Sequence, residues 1–326
     1  AKIVADRAKR RKLIQMADRI ADLAFTSSEP VESLMDSAEM DIMALAGACV
    51  GESEPKPITE IMGPVIDRIQ ELYDREVQGP TGLLTGFPDI DDITDGLQDG
   101  DLIVLAGRPS MGKSAIALNI AENVALRGDP ALVFSLEMSD KQLVQRTLSS
   151  VSSINSKALR TGRISDDDWD KMTNGLGKIH EKPLYIDQTP NITVAQMAAK
   201  ARRLTKKVGK IRLIVVDYLQ LMEAEGQNRN DEISQITRRM KLMAKDLACP
   251  VICLSQLSRK VEERGDKRPL LSDLRDSGAV EQDADVVLMM YRDDYYRDDS
   301  PWKGMAEVLI RKNRMGETGA VHLVFR

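Results

Sequence analysis

Apolar residues at the start of the chain, Ile3, Val4, Leu13, Met16, Ile20 and Leu23, recur at three- and four-residue spacing and predict a helix over about 1–25. A second helix is expected over about 31–48, after the stop-and-restart signal Thr26-Ser27-Ser28-Glu29-Pro30. Together they read as an αα-hairpin. The polar, Pro-rich stretch 51–57 reads as a linker, and Ile58, Ile61, Val65, Ile69 and Leu72 then mark a third amphipathic helix within 57–78. Gly63-Pro64 is expected either to kink this helix or to open it. From about residue 84 the pattern alternates between short apolar runs and amphipathic stretches: strands at 101–106, 131–135, 184–187, 212–217 and 250–255, with helical segments at 115–121, about 140–176, 193–207 and 231–247 between them. Such alternation predicts an α/β fold, a mostly parallel sheet with helices on both faces. Three further strands near 285–291, 306–311 and 320–325 follow one another without helical pattern and read as an antiparallel extension.

This divides the chain into a helical hairpin over 1–50, a linker with its helix over 51–82, and one large α/β domain over 83–326. The chain opens on Ala1 inside a helical pattern, as expected of a fragment cut within an N-terminal helical region. Nothing resembles a signal peptide or an apolar run long enough to span a membrane, so a cytoplasmic protein is expected. With 42% hydrophobic and 30% charged residues, the net charge of -5 argues against a surface coated all over with nucleic acid but does not exclude a local basic channel. Three cysteines, Cys49, Cys249 and Cys253, and two histidines, His180 and His322, are too few and too scattered for a zinc site.

The chemistry is concentrated at Gly107-Arg108-Pro109-Ser110-Met111-Gly112-Lys113-Ser114, a complete G-x-x-x-x-G-K-[ST] phosphate loop between a strand and a helix. Backbone N–H groups and the positive end of the helix dipole converge there on an anion. Lys113 suits the β- and γ-phosphates of a nucleoside triphosphate such as ATP, and the Ser114 hydroxyl suits Mg²⁺. The run Ile211 to Asp217 is an apolar strand ending in an acid, the second half of such a site, where Asp217 would hold Mg²⁺. Strand 131–135 delivers Glu137 to the edge where α/β sheets place ligands, in position to polarise an attacking water. Strand 250–255 likewise ends at Gln256, an amide able to sense a γ-phosphate.

These segments occur in a distinctive series. The phosphate loop is followed by Phe134-Ser135-Leu136-Glu137-Met138, Asp217-Tyr218-Leu219-Gln220-Leu221-Met222, Leu254-Ser255-Gln256-Leu257-Ser258-Arg259 and the run from Ser272 to Asp285. In that order, across about 57–326, the chain resembles the replicative hexameric DNA helicases of the DnaB family. The resemblance implies a RecA-like ATPase domain, self-association into a homohexameric ring around single-stranded DNA, 5′ to 3′ translocation, and partners that include a primase and a helicase loader. It assigns Lys113, Ser114, Asp217, Glu137 and Gln256 the roles given above. It also assigns Arg314 as an arginine finger and Lys312 as its companion, both acting on the neighbouring subunit's site from Val308-Leu309-Ile310-Arg311-Lys312-Asn313-Arg314-Met315-Gly316.

Between Ser258 and Gly278 the chain is polar and reads as a long loop carrying Arg259, Lys260, Arg264, Lys267, Arg268 and Arg275. The resemblance places this segment in the central channel, with the backbone of Arg275, Asp276, Ser277 and Gly278 on DNA phosphates. Contacts to phosphates without base readout suit a motor indifferent to sequence. RecA-type strand-exchange proteins share the fold, the loop and the placement of Glu137, but nothing here matches their pairing loops. In a third reading the hairpin is a docking module and ATP only sets assembly.

Overall fold

A computed structural model of the chain describes residues 2–27, 57–74, 79–219, 228–274 and 278–325, together with 31, 34, 38 and 222. It divides into two compact units, Ala1–Gln78 and Gly79–Arg326, each taken by itself below.

In the first unit, α1 spans Lys2–Thr26 and α2 spans Ile58–Tyr73. The second arm of the expected hairpin lies mostly outside the described residues, though 31, 34 and 38 are helical. The Pro-rich stretch 51–56 and Cys49 lie outside them too. Helix α2 begins just after Pro57 and runs through Gly63-Pro64, so Pro64 does not open it. Pro64 brings no N–H to the helix ladder one turn after Glu60. Ile58, Met62, Val65, Ile66, Ile69 and Tyr73 of α2 are exposed.

In the second unit the elements after α3 (Pro88–Thr94) alternate as the pattern predicts: β1 Leu102–Gly107, α4 Lys113–Leu126, β2 Ala131–Ser135, α5 Asp140–Ser152, α6 Ser156–Thr161, α7 Asp166–Ile179, β3 Leu184–Asp187, α8 Val194–Val208, β4 Leu213–Asp217, α9 Arg229–Leu247 and β5 Val251–Gln256. They are followed by α10 (Gly278–Asp283), β6 (Val286–Tyr291), α11 (Asp293–Tyr296), β7 (Met305–Asn313) and β8 (Gly319–Val324). The eight strands form one sheet in the order β3-β2-β4-β5-β1-β6-β7-β8.

Every residue of β1, β2, β4 and β6 is buried, as continuous apolar runs covered on both faces require. Strand alternation splits the core in two. Leu102, Val104 and Ala106 of β1 join Met197 of α8 and Met240 and Met243 of α9 on one face. Ile103 and Leu105 join Ile116, Ile120 and Val124 of α4 on the other. The helices start where side chains can cap them: Ser139 with Gln142, Ser165 with Asp168 and Thr193 with Gln196 form capping boxes at α5, α7 and α8.

The helical segments expected over about 140–176 are three helices, because Ser153 and Gly162 take left-handed conformations that close α5 and α6. One expectation is corrected. The strand near 285–291, β6, runs parallel to β1 in the register Ile103↔Val286 to Gly107↔Met290, and the antiparallel pairings are β6 with β7 and β7 with β8. Among the described residues no helix is long and apolar enough to cross a membrane. Cys249 and Cys253 are buried thiols, and burial pushes that of Cys249 up to about 12.

Candidate functional site: a phosphate loop and its surroundings

Parallel strands place their C-terminal ends at one edge of the sheet, and the loops leaving that edge build the site. β1 ends at Gly107, paired with Gln256 at the end of β5, and Ser135 at the end of β2 pairs with Asp217 at the end of β4. The phosphate loop turns from Gly107 into α4 through two left-handed residues, Ser110 (φ 67) and Gly112 (φ 96). A Cβ at Gly112 would lie 2.6 Å from the Phe325 ring, so glycine is needed there for space as well as for φ. No side chain caps α4 at Gly112, which leaves its first N–H groups to an anion.

A cavity of about 1080 Å³ opens at this edge, lined among others by Pro109, Ser110, Gly112, Lys113, Ser114, Glu137, Asp217 and Gln256. It gathers the expected catalytic and metal-binding candidates except Lys312 and Arg314. The Lys113 ammonium donates to the carbonyls of Gly107 at 2.8 Å and Arg108 at 3.2 Å. Burial lowers its pKa to about 8, against the raising influence of Asp217 and Glu137. Asp217 is 6% exposed, and burial raises its carboxyl pKa while a hydrogen bond from Ser114 and the charges of Lys113 and Arg146 oppose the rise. Glu137 stands on the turn after β2, where the Met138 N–H donates to Ser135 Oγ at 3.2 Å and the Leu136 N–H donates to Asp217 O at 2.7 Å. The general-base candidate and the metal-ligand candidate are therefore fixed to each other by backbone.

Not all eight loop residues face the cavity. Met111 is 2% exposed and packs in the core. Gly107 is the strand end, where an added Cβ would come within 3.2 Å of Lys113 and Met290 side-chain atoms. Arg108 turns away, donating through Nε to Glu262 at 2.8 Å and through Nη1 to Leu257 O at 3.1 Å.

The cavity wall also holds residues that sequence reasoning missed. Arg146 of α5 lines it. Phe325 lines it as well, with the Arg292 guanidinium 4.0 Å from its ring centroid. An arginine nearly two turns into a capped helix looks like any solvated helix arginine, and nothing local marks an aromatic just beyond the last strand. The flat cationic and aromatic pair suits stacking against a heterocyclic base.

Lys312 and Arg314 stand at the opposite edge. Asn313 pairs with Val286, which pairs with Ile103 at the start of β1, so Arg314 is about 13 Å of strand away from Gly107. Arg314 donates to Asp285 Oδ1 at 2.9 Å, and Lys312 to the carbonyl of Glu281 at 2.6 Å.

The stretch 258–274 is folded, which corrects the expectation of an unstructured loop. It contains 3₁₀ turns at Arg259–Glu263 and Leu271–Asp273, closed by a Leu257↔Leu274 bridge. Arg264 forks onto Asp273 at 2.6 and 3.2 Å, Arg268 binds Glu307 at 2.8 Å, and Lys267 lies 4.7 Å from the Tyr296 ring centroid. Those three cations hold the segment together, while Arg259 and Lys260 are exposed. Gly278 opens α10, and Arg275, Asp276 and Ser277 lie outside the described residues.

The phosphate loop after β1, the acid-terminated strand β4 two places along the sheet and the sheet order together define a RecA-like phosphate-loop ATPase domain. Residues 82–326 match the family model of the DnaB-like helicase C-terminal domain, and the chain belongs to that family of replicative helicases. Across its whole length it is 44% identical to the replicative DNA helicase DnaB of Geobacillus stearothermophilus, covering 72% of that protein. Among solved structures, one of a DnaB-like replicative helicase and its interactions with primase superposes on all of this chain and 76% of that one, with a TM-score of 0.83 and 34% identity. A second solved structure, an ATPase domain by itself, matches 83% of this chain and 96% of its own, with a TM-score of 0.79 and 39% identity. The family sets aside the strand-exchange reading.

A nucleotide-binding site with Lys113 at about 8 has a testable pH dependence. An arriving phosphate raises the amine pKa, so binding takes up a proton wherever the free amine is neutral. Affinity is then full below about 8 and falls as pH rises above it, by up to about tenfold per unit. Titration of a fluorescent nucleotide across this range checks the effect. Constant affinity would separate Lys113 from the phosphates.

Proposed function

We propose that this chain is an ATP-hydrolysing ring motor that assembles as a homohexamer around single-stranded DNA, moves 5′ to 3′ and separates the duplex at a replication fork. The observation that carries this reading is the split of the catalytic set between opposite sheet edges. Lys113, Ser114, Glu137, Asp217 and Gln256 share one edge, whereas Lys312 and Arg314 stand at the other. A complete site then needs two copies placed head to tail, and repetition of such a heterologous contact closes a ring.

In each site the phosphate loop holds the β- and γ-phosphates, and Lys113 neutralises charge gathering on the transferring group. The hard oxygens of Ser114 and Asp217, already hydrogen-bonded to each other, fit Mg²⁺. When bound, Mg²⁺ supplies charge neutralisation at the phosphate oxygens. Glu137 takes the proton of the attacking water, Gln256 senses the γ-phosphate, and the neighbour's Arg314 and Lys312 complete the positive surround. Phe325 and Arg292 receive the base.

We assign 1–50 to the end of an N-terminal domain, 51–82 to the linker and 83–326 to the motor. The exposed apolar stripe of α2 suits docking on a neighbouring subunit. Single-stranded DNA runs along the 258–278 segment, met by Arg259, Lys260 and the 275–278 backbone. Arg264, Lys267 and Arg268 shape that segment. Primase and a loader are the proposed protein partners.

The test is unwinding of forked DNA with a single 5′ or 3′ tail. Wild type separates the strands from the 5′ tail. Glu137→Gln retains nucleotide and DNA binding but loses turnover by at least about 10²-fold, because it keeps the side-chain shape without the base. Collapse of nucleotide binding in Glu137→Gln would assign that carboxylate to structure, and unwinding from the 3′ tail would overturn the polarity.

A further inference from the structure

The phosphate loop is joined to the segment after β5 at three points. The Leu257 N–H donates to Gly107 O at 3.3 Å. Arg108 Nη1 donates to Leu257 O at 3.1 Å, and Arg108 Nε donates to Glu262 Oε1 at 2.8 Å. The Arg108 side chain is only 12% exposed, so this phosphate-loop residue is committed to its neighbour across the sheet edge and not to solvent.

Glu262 belongs to the 3₁₀ turn Arg259–Glu263, whose exposed residues include Arg259 and Lys260. Val261, fully buried, anchors the turn from beneath. Ser258 caps it, and its N–H donates to Asp273 O at 2.8 Å, while the Arg264 fork onto Asp273 fastens its far end. A displacement of the cationic face is therefore transmitted through a braced unit, and Glu262 is the side chain of that turn that reaches the phosphate loop. At the other end, the charge of Arg108 acts on Lys113, where it disfavours the charged amine. Movement of Arg108 thus changes the potential at the residue that meets the phosphates.

We propose that Glu262, acting through Arg108, is a positioning residue that couples DNA occupancy of the 259–263 turn to the phosphate loop. This rests on the reading of the 258–278 segment as the strand-contacting surface. Glu262 touches neither nucleotide nor DNA, so its signature is a change in coupling without a change in either affinity alone.

The experiment compares the full chain with Glu262→Gln, which keeps size and a hydrogen-bonding end but removes the charge. Binding of a labelled oligo-dT is measured with and without a non-hydrolysable ATP analogue, and binding of the analogue with and without oligo-dT. Linkage requires the two coupling factors to agree. In Glu262→Gln the common factor falls about fivefold or more toward one, while each ligand alone binds within about twofold of wild type. Glu262→Asp recovers part of the factor. An unchanged factor in Glu262→Gln, beside a wild type that couples, overturns the tether. Loss of oligo-dT affinity with the factor intact also overturns it, since the carboxylate would then merely hold the DNA surface. A wild type that does not bind oligo-dT defeats the strand-contacting reading itself.

Discussion

Lys113→Ala abolishes nucleotide hydrolysis and strand separation, lowering turnover by at least about 10²-fold, while the chain stays folded. The side chain is the first residue of α4 and is held against the carbonyls of Gly107 and Arg108, which aims its charge along the loop. Neither nearby arginine is placed to substitute. Arg146 enters the cavity from α5, where its charge acts on Asp217, and Arg108 is bound to Glu262. The fold tolerates the change because burial already disfavours this amine, lowering its pKa to about 8, so removal relieves a desolvation cost. Phosphate release and a thermal melt on the same sample check both halves. Retention of more than about a tenth of wild-type turnover defeats the assignment of Lys113, and a lost melting transition would make the residue structural.

The site at the C-terminal edge was legible because its parts lie in local order. Each strand hands its functional residue to the loop that follows, so Gly107, Glu137, Asp217 and Gln256 are found by reading past the end of an apolar run. The capping boxes are local in the same way, each complete within four residues. Features that depend on partners far along the chain were not. The direction of β6 follows from a crossover built of short 3₁₀ turns and the six-residue α10, too short to leave a periodic signature. Arg268 read as a DNA contact because its partner, Glu307, is 39 residues away on β7. Arg264 has its acid, Asp273, near in sequence, but the Leu257↔Leu274 bridge is what brings the loop round to it. Cations counted by composition look solvated until the fold supplies their acids.

The larger prediction concerns the opposite edge. Arg314→Ala lowers turnover by about 10³-fold if its guanidinium completes a neighbour's site. Its position excludes service to its own site. The residue lies beyond the end of β7, level with the start of β1, and about 13 Å of strand separates it from Gly107, more than an arginine side chain spans. Loss of stability does not explain the effect. Arg314 is 53% exposed, and its partner Asp285 keeps the Leu102 N–H at 2.9 Å and the Lys241 ammonium after the substitution. Mixing supplies the decisive measurement. Arg314→Ala subunits retain the phosphate loop, Lys113→Ala subunits retain the finger, and each alone is inactive. In a random mixed ring about one interface in four joins an intact loop to an intact finger, so turnover recovers to a fraction of wild type that rises and falls with the mixing ratio. An inert mixture whose assembly is verified by sedimentation would mean that Arg314 acts on no neighbour, and the split of catalytic groups between the two edges would then need another explanation.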